Sequence, residues 1–155
     1  MPINPQQNCY CGNKQPYSEC CQLYILGEAA TTPEKLMRSR FTAFATANVD
    51  YIFQTQESAI HAGINKEDFK AQLQAQKWIH LEIVSAKDKT VAFIASMLYN
   101  DILYTMQENS FFEMKENRWI YSKALSHEAK ERPVQRNEAC PCGSQKKYKK
   151  CCQKD

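Results

Sequence analysis

Eight cysteines carry the most legible chemistry of this chain. They fall in two runs, "CYCGNKQPYSECC" from Cys9 to Cys21 and "CPCGSQKKYKKCC" from Cys140 to Cys152. Each run follows C-x-C-x(8)-C-C, which supplies Cys9, Cys11, Cys20 and Cys21 at one end and Cys140, Cys142, Cys151 and Cys152 at the other. Aligned through Gln22 and Gln153, seven of fourteen positions are identical, so the segment is a repeated module. Four thiolates suit a tetrahedral ion, and structural zinc takes four such donors. A C-x-C turn and a C-C pair can close around one ion if the eight residues between them fold back. Gly12 and Gly143 follow each C-x-C, where a positive φ or a close backbone approach to sulfur would need glycine. Tyr17 and Tyr148 are expected to pack over modules that hold little else apolar. The expectation is two zinc ions per chain.

Other thiol chemistries stay open at this point. Disulfides are one, a redox or thiol-catalytic site is a second, and an iron–sulfur centre is a third. Against disulfides, the body between the runs has no cysteine to staple. Against a redox site, neither run has the C-x-x-C spacing.

The residues around the thiols have their own charge pattern. The C-terminal run holds Lys146, Lys147, Lys149 and Lys150, whereas the N-terminal copy has Lys14 against Glu19. These lysines either offset a four-thiolate zinc centre of charge −2 or dock an acidic partner. The partner would be an acidic protein surface, an RNA or ribosome phosphate backbone, or anionic lipid. The formal charge of the whole chain is +3. Eight thiolates and two Zn²⁺ would take it to −1, so global charge says nothing about nucleic acid. The N-terminus lacks a charged and apolar leader, and the longest apolar stretch, from Val91 to Tyr99, is too short to span a bilayer. The expected location is cytoplasmic, where thiols stay reduced.

The elements that must position these modules read as helices first and strands after. Thr32 before Pro33 and Glu34 caps a helix carrying Leu36, Met37, Arg40, Phe41 and Phe44 on one face. A short helix is expected around Asp50–Phe53. Asn65, with Glu67 and Asp68, opens another that turns Phe69, Leu73 and either Ala75 or Gln76 inward. From Trp78 the pattern changes to "WIHLEIVSA", "KTVAFIASMLY", "ILYTMQENSFFEM" and "RWIYSKAL", broken by turns at "KDK", "ND" and "KEN". This is an α+β domain with helices on one face of a curved, four-stranded antiparallel meander. The expected divisions are 1–26 for the first module, 27–125 for the body, 126–136 for a polar linker and 137–155 for the second module.

These residues resemble known families. "RNEACPCGSQKKYKKCC" looks like the SEC-C motif, the small zinc module at the C-terminus of the bacterial preprotein translocase ATPase. That motif is commonly C-x-C-G-S-G-x-K-Y-K-x-C-C/H; here Gln145 stands for its second glycine, and the N-terminal copy departs further, with Pro16 where a lysine is usual. "PEKLMRSRFTAF", "DYIFQT", "WIHLEIV" and "ENSFFEMKENRWIYSKA" resemble the bacterial YchJ family, from about Asn8 to Gln153. The resemblance implies a nuclear-transport-factor-2-like (cystatin-like) cone between two SEC-C modules. It also implies protein recognition, since the module docks a chaperone in the ATPase. Family members often follow the last W-x-Y with Asp-Gly, which "WIYSKAL" lacks.

Other residues invite a role and receive none from sequence. His80 reads as a surface or cavity-rim residue on the face opposite Ile79, Leu81 and Ile83. His61 and His127 read as solvated loop and linker residues. Asp101, Glu108 and Glu113 are the acids that a concave pocket could use, but the sequence names no partner for any of them. Of Arg38 and Arg40, one is expected in solvent and one folded over the apolar stripe. The leading expectation is a zinc-binding interaction protein rather than an enzyme, with small-ligand binding or catalysis in the central cone as the rival.

Overall fold

The structure is a computed structural model and describes residues 3–154. Four α-helices precede the sheet: α1 (Cys21–Ile25), α2 (Pro33–Ala45), α3 (Val49–Gln54) and α4 (Lys66–Ala75). Four strands follow: β1 (Lys77–Lys87), β2 (Thr90–Tyr99), β3 (Ile102–Lys115) and β4 (Arg118–Pro133). They pair antiparallel in the order β1-β2-β3-β4, the expected meander. The turn chemistry explains the register. Asn100 and Asp101 sit at φ 51° and 61°, and Glu116 and Asn117 at 50° and 63°. Paired left-handed residues match the twist of adjacent strands.

The helix starts form as their residues dictate. Thr32 accepts from the Lys35 amide, Asn48 from Tyr51 and Asn65 from Asp68. On the sheet, Leu81, Val91, Phe93, Ala95 and Phe112 are buried against Leu36, Met37, Phe41 and Ile52 from the helices. Ser39, Thr42 and Ala43 on α2 are fully buried as well. A single apolar stripe does not predict this. The second face of α2 is covered by the first cysteine module, whose residues belong to the same core.

Three expectations change. Residues 126–133 are not a linker but the far half of β4, paired with β3 from Asn109↔Ser126 to Ile102↔Pro133. Two bulges let the strand run on past "WIYSKAL", and only three residues separate it from the second module. His127 therefore lies in a strand, with Nδ1 3.2 Å from Glu108 Oε2. At the start of β1, a register shift between Trp78 and His80 breaks the alternation. Trp78 joins the helix-facing core with Leu81, while Ile79 packs with Leu98 and Val134. Among the described residues, no helix is long and apolar enough to cross a membrane.

Candidate metal centres

Each run of cysteines folds through the same local bonds. In the first, Cys9 N–H donates to Gln15 O and Gly12 N–H to Cys9 O; in the second, Cys140 donates to Lys146 O and Gly143 to Cys140 O. These tight turns require Gly12 at φ 82° and Gly143 at φ 84°, which only glycine adopts freely. Short 3₁₀ turns, Tyr17–Glu19 and Tyr148–Lys150, then bring the C-C pair back. The residues that close them, Cys20 and Cys151, share an unusual backbone at φ −128°, ψ −112° and φ −131°, ψ −110°. Tyr17 and Tyr148 are buried, as expected of the rings that cap each module. Each tyrosine amide also reaches upstream, to Gln7 O and Glu138 O.

The result is two clusters, Cys9–Cys11–Cys20–Cys21 and Cys140–Cys142–Cys151–Cys152. In each, all four Sγ atoms lie within 4.8 Å of one another. Each cluster could hold a metal ion. Cys11 Sγ and Cys20 Sγ are 3.6 Å apart, Cys20 and Cys21 3.9 Å, and Cys142 and Cys151 3.6 Å. A tetrahedron with ~2.3 Å metal–sulfur bonds has edges of about 3.8 Å. A disulfide needs about 2.05 Å, and all eight cysteines are free.

The electrostatics fit a cation. Crowded thiols ionise unequally. In the first cluster, hydrogen bonds from Cys11 and Cys21 hold Cys9 far below the usual thiol range. Burial and the neighbouring Cys11 push Cys20 up to about 12. In the second cluster, burial raises Cys142, but hydrogen bonds from Ser144 and Cys140 outweigh it and bring the thiol to about 6. Burial raises Cys152 against the pull of Lys77. A divalent ion would stabilise all four thiolates together.

Outer groups orient the sulfurs. Thr42 Oγ1 lies 3.7 Å from Cys9 Sγ, the Asn13 amide 3.5 Å from Cys11 Sγ, and Ser144 Oγ donates to Cys151 Sγ at 3.2 Å. Arg38 Nη1 donates to Cys11 O at 3.1 Å while its Nε pairs with Glu34. Sequence reasoning missed Thr42 and Arg38 because they come from α2, far along the chain. Asn13 and Ser144 were findable, since both follow the motif glycine.

The two centres sit differently. Cys11 and Cys21 are fully buried with Leu36 and Ile52 in the main core. The second centre forms a small cluster of its own, with Tyr148, Leu98 and Val134. Asp101, one of the candidate acids, accepts from Tyr148 Oη at 2.7 Å and so docks this module on the β2–β3 turn. Lys146, Lys147 and Lys150 are exposed and Lys149 half-buried.

The remaining candidates resolve separately. Glu113 accepts from Ser122. Glu108 accepts from Ser110 at 2.8 Å and Tyr121 Oη at 2.6 Å. Arg40 is the arginine folded inward. Its Nη1 donates to Ile52 O and Thr55 Oγ1 and its Nη2 to Gln56 Oε1, and burial brings its pKa down to about 10. His61 stacks on Phe53 at 4.0 Å and bonds to Gln56, while His80 is half-exposed beside Glu82.

Comparison with known proteins agrees with this architecture. Residues 32–124 match the model of the YchJ middle NTF2-like domain, and residues 136–154 match the SEC-C motif. A UPF0225 protein of Shewanella sp. (strain MR-4) is 36% identical, covering 96% of this chain and 97% of its own. The solution structure of a SEC-C motif containing protein from Rhodopseudomonas palustris superposes with a TM-score of 0.68 at 28% identity, over 77% of this chain and 98% of that one. A crystal structure of a SEC-C motif containing protein from Psychrobacter arcticus gives 0.64 at 24% identity over 97% of each, a likeness of fold. With its NTF2-like body and SEC-C motif, the chain belongs to the YchJ, or UPF0225, family.

Proposed function

We propose that the protein binds two structural zinc ions and uses the second zinc module as a docking surface for an acidic protein partner in a reducing compartment. Cys9, Cys11, Cys20 and Cys21 would hold one ion; Cys140, Cys142, Cys151 and Cys152 would hold the other. The ions supply fold, not chemistry: four closed thiolates leave no open position for a substrate. The observation that carries the docking reading is the asymmetry of the modules. One is packed into the core; the other stands on a small apolar footing with Lys146, Lys147 and Lys150 facing outward and Lys149 beside them. Among the described residues, none of these four lysines is in an ion pair, so their charge is available to a partner.

Two measurements test this. Metal analysis of protein purified under reducing conditions should find about two zinc per chain; none, with intact disulfides, overturns the metal reading. Changing Lys146, Lys147, Lys149 and Lys150 together to Glu should abolish capture of the partner while zinc content stays at two. Capture that survives the reversal overturns the docking surface. Capture abolished by nuclease assigns it to RNA or the ribosome instead.

A further inference from the structure

β4 is long for a strand, and much of it has no neighbour on one side. It runs sixteen residues, against about five or six in an ordinary strand. As the last strand of the sheet, it pairs with β3 along one side only. Near its start the other side is closed. The Tyr121 amide donates to Thr55 O at 2.8 Å, and Tyr121 O accepts from the Glu57 amide at 3.0 Å. At its end stands Pro133, which has no N–H to offer. From Lys123 to Pro133 every residue is exposed. Among the described residues, no group bonds to the outer backbone of residues 123–132.

An open edge of this kind is a template for another strand unless something blocks it. Bulges do so at Ser122 and Leu125, but from Ser126 to Pro133 the register with β3 is unbroken. The ladder fixes which backbone groups of that stretch face outward. On β3 the Phe112 amide donates to Lys89 O, away from β4, and pairs alternate along an antiparallel ladder. Glu108, Met106 and Tyr104 share that orientation. Their partners on β4, His127, Ala129 and Glu131, therefore turn N–H and C=O outward.

The side chains decide what the edge can accept. Glu128 and Lys130 stand on one face of the strand, and His127 and Glu131 on the other. Among the described residues, Glu128, Lys130 and Glu131 are in no ion pair, while His127 lies against Glu108. Charges on an edge ordinarily keep copies apart by setting like against like. In one register this sequence does the reverse. With a two-fold axis at Ala129, Glu128 meets the partner's Lys130 and His127 meets the partner's Glu131. Symmetry repeats each pair. An axis at residue 128 sets Glu128 against Glu128, and one at residue 130 sets Lys130 against Lys130. An axis at residue 127 runs the pairing into the bulge at Leu125.

We propose that the outer edge of β4 is a docking site for a second copy of this chain, paired antiparallel about Ala129 so that the two sheets become one. His127, Ala129 and Glu131 would exchange backbone hydrogen bonds with the partner's Glu131, the partner's Ala129 and the partner's His127. The two Glu128–Lys130 pairs fix the register. The pairing is independent of the metal and docking readings above.

The test uses the full chain under reducing conditions, so that intermolecular disulfides cannot mimic the pairing. Sedimentation over a concentration series should show a reversible monomer–dimer equilibrium. Glu128→Lys alone and Lys130→Glu alone each place like charges opposite one another, and each should raise the dissociation constant about tenfold or more. An equimolar mixture of the two variants should dimerise again, because Lys at 128 and Lys at 130 of one chain then face Glu at 130 and Glu at 128 of the other. In the unmutated chain, the amides of His127, Ala129 and Glu131 should gain protection from exchange as concentration rises. A chain that stays monomeric at every concentration overturns the second copy as the occupant. A dimer that survives both single changes overturns the edge, and one that the mixture fails to restore overturns the register. The exchange measurement needs no variant. A dimer in which those three amides exchange freely overturns the proposal even if a variant fails to fold.

Discussion

Gln145 holds a left-handed backbone at φ 68°, at the position where the SEC-C pattern has its second glycine. A side chain there costs roughly 1–2 kcal/mol. Glycine would remove that strain but give back about 0.4–1 kcal/mol through the freer unfolded chain. Gln145→Gly should therefore stabilise the second module by about 0.5–1 kcal/mol. If zinc occupies this module, binding and module folding are coupled, and its affinity should rise about two- to fivefold in chelator competition. Arg40 is the opposite case, a residue whose shape is already used in full. Its planar fork reaches Ile52 O, Thr55 Oγ1 and Gln56 Oε1 together, tying α2 to the end of α3. A lysine keeps the charge but not the fork. Arg40→Lys should lower stability by about 2–3 kcal/mol in urea unfolding, with the metal content unchanged from that of the parent chain.

At the scale of elements, the join between β4 and the second module rests on one acid. Glu138 takes Arg132 Nη2 at 3.0 Å, Arg132 Nη1 at 3.2 Å and the Gln135 amide at 2.9 Å. The hydrogen bonds from Arg132, then that from Gln135, hold its carboxyl below the usual range. A folded-state value below the unfolded one means the staple is present above the unfolded pKa and is lost as pH falls through the folded one. Amide exchange at Gln135 should thus lose protection, beyond its intrinsic pH trend, as the carboxyl protonates. Glu138→Gln should show the low protection at every pH. This staple lies where the sequence reads as a polar linker, and the reason is instructive. "SHEAKERPVQRNEA" has the composition of a loop, and β4 runs through its first half because it pairs with a partner strand. Composition registers what a segment exposes, not what its backbone bonds to. The other strands were legible because one face of each is apolar, and α2 and α4 because Thr32 and Asn65 announce them, whereas α1 lies inside the first cysteine module and was not. The two four-cysteine clusters were legible from spacing alone. Thr42 and Arg38 were not, since each owes its role to a neighbour distant in sequence.

The whole molecule distributes its two centres unequally over one sheet. The first shares a core with α2, α3 and the helix-facing strands. The second sits on a separate apolar cluster at the end of β2 and β4, joined by the Tyr148–Asp101 bond and the Arg132–Glu138 pair. If zinc holds both, its removal has different reach at each site. Cys142→Ser should release one metal and lower global stability by about 1 kcal/mol or less, because the module opens locally and leaves the sheet paired. Cys11→Ser removes a ligand that is 0% exposed and packed in the main core. It should release the other metal and cost about 3 kcal/mol or more, as expected when a core loses its filling. Chelation of the unmutated chain should then proceed in two phases followed together by native mass spectrometry and circular dichroism. The first equivalent of metal should leave with the secondary structure intact, and the second should leave with cooperative unfolding. Simultaneous loss of both metals in a single unfolding transition would mean that the modules form one cooperative unit. The body would then depend on the C-terminal footing as much as on the N-terminal core.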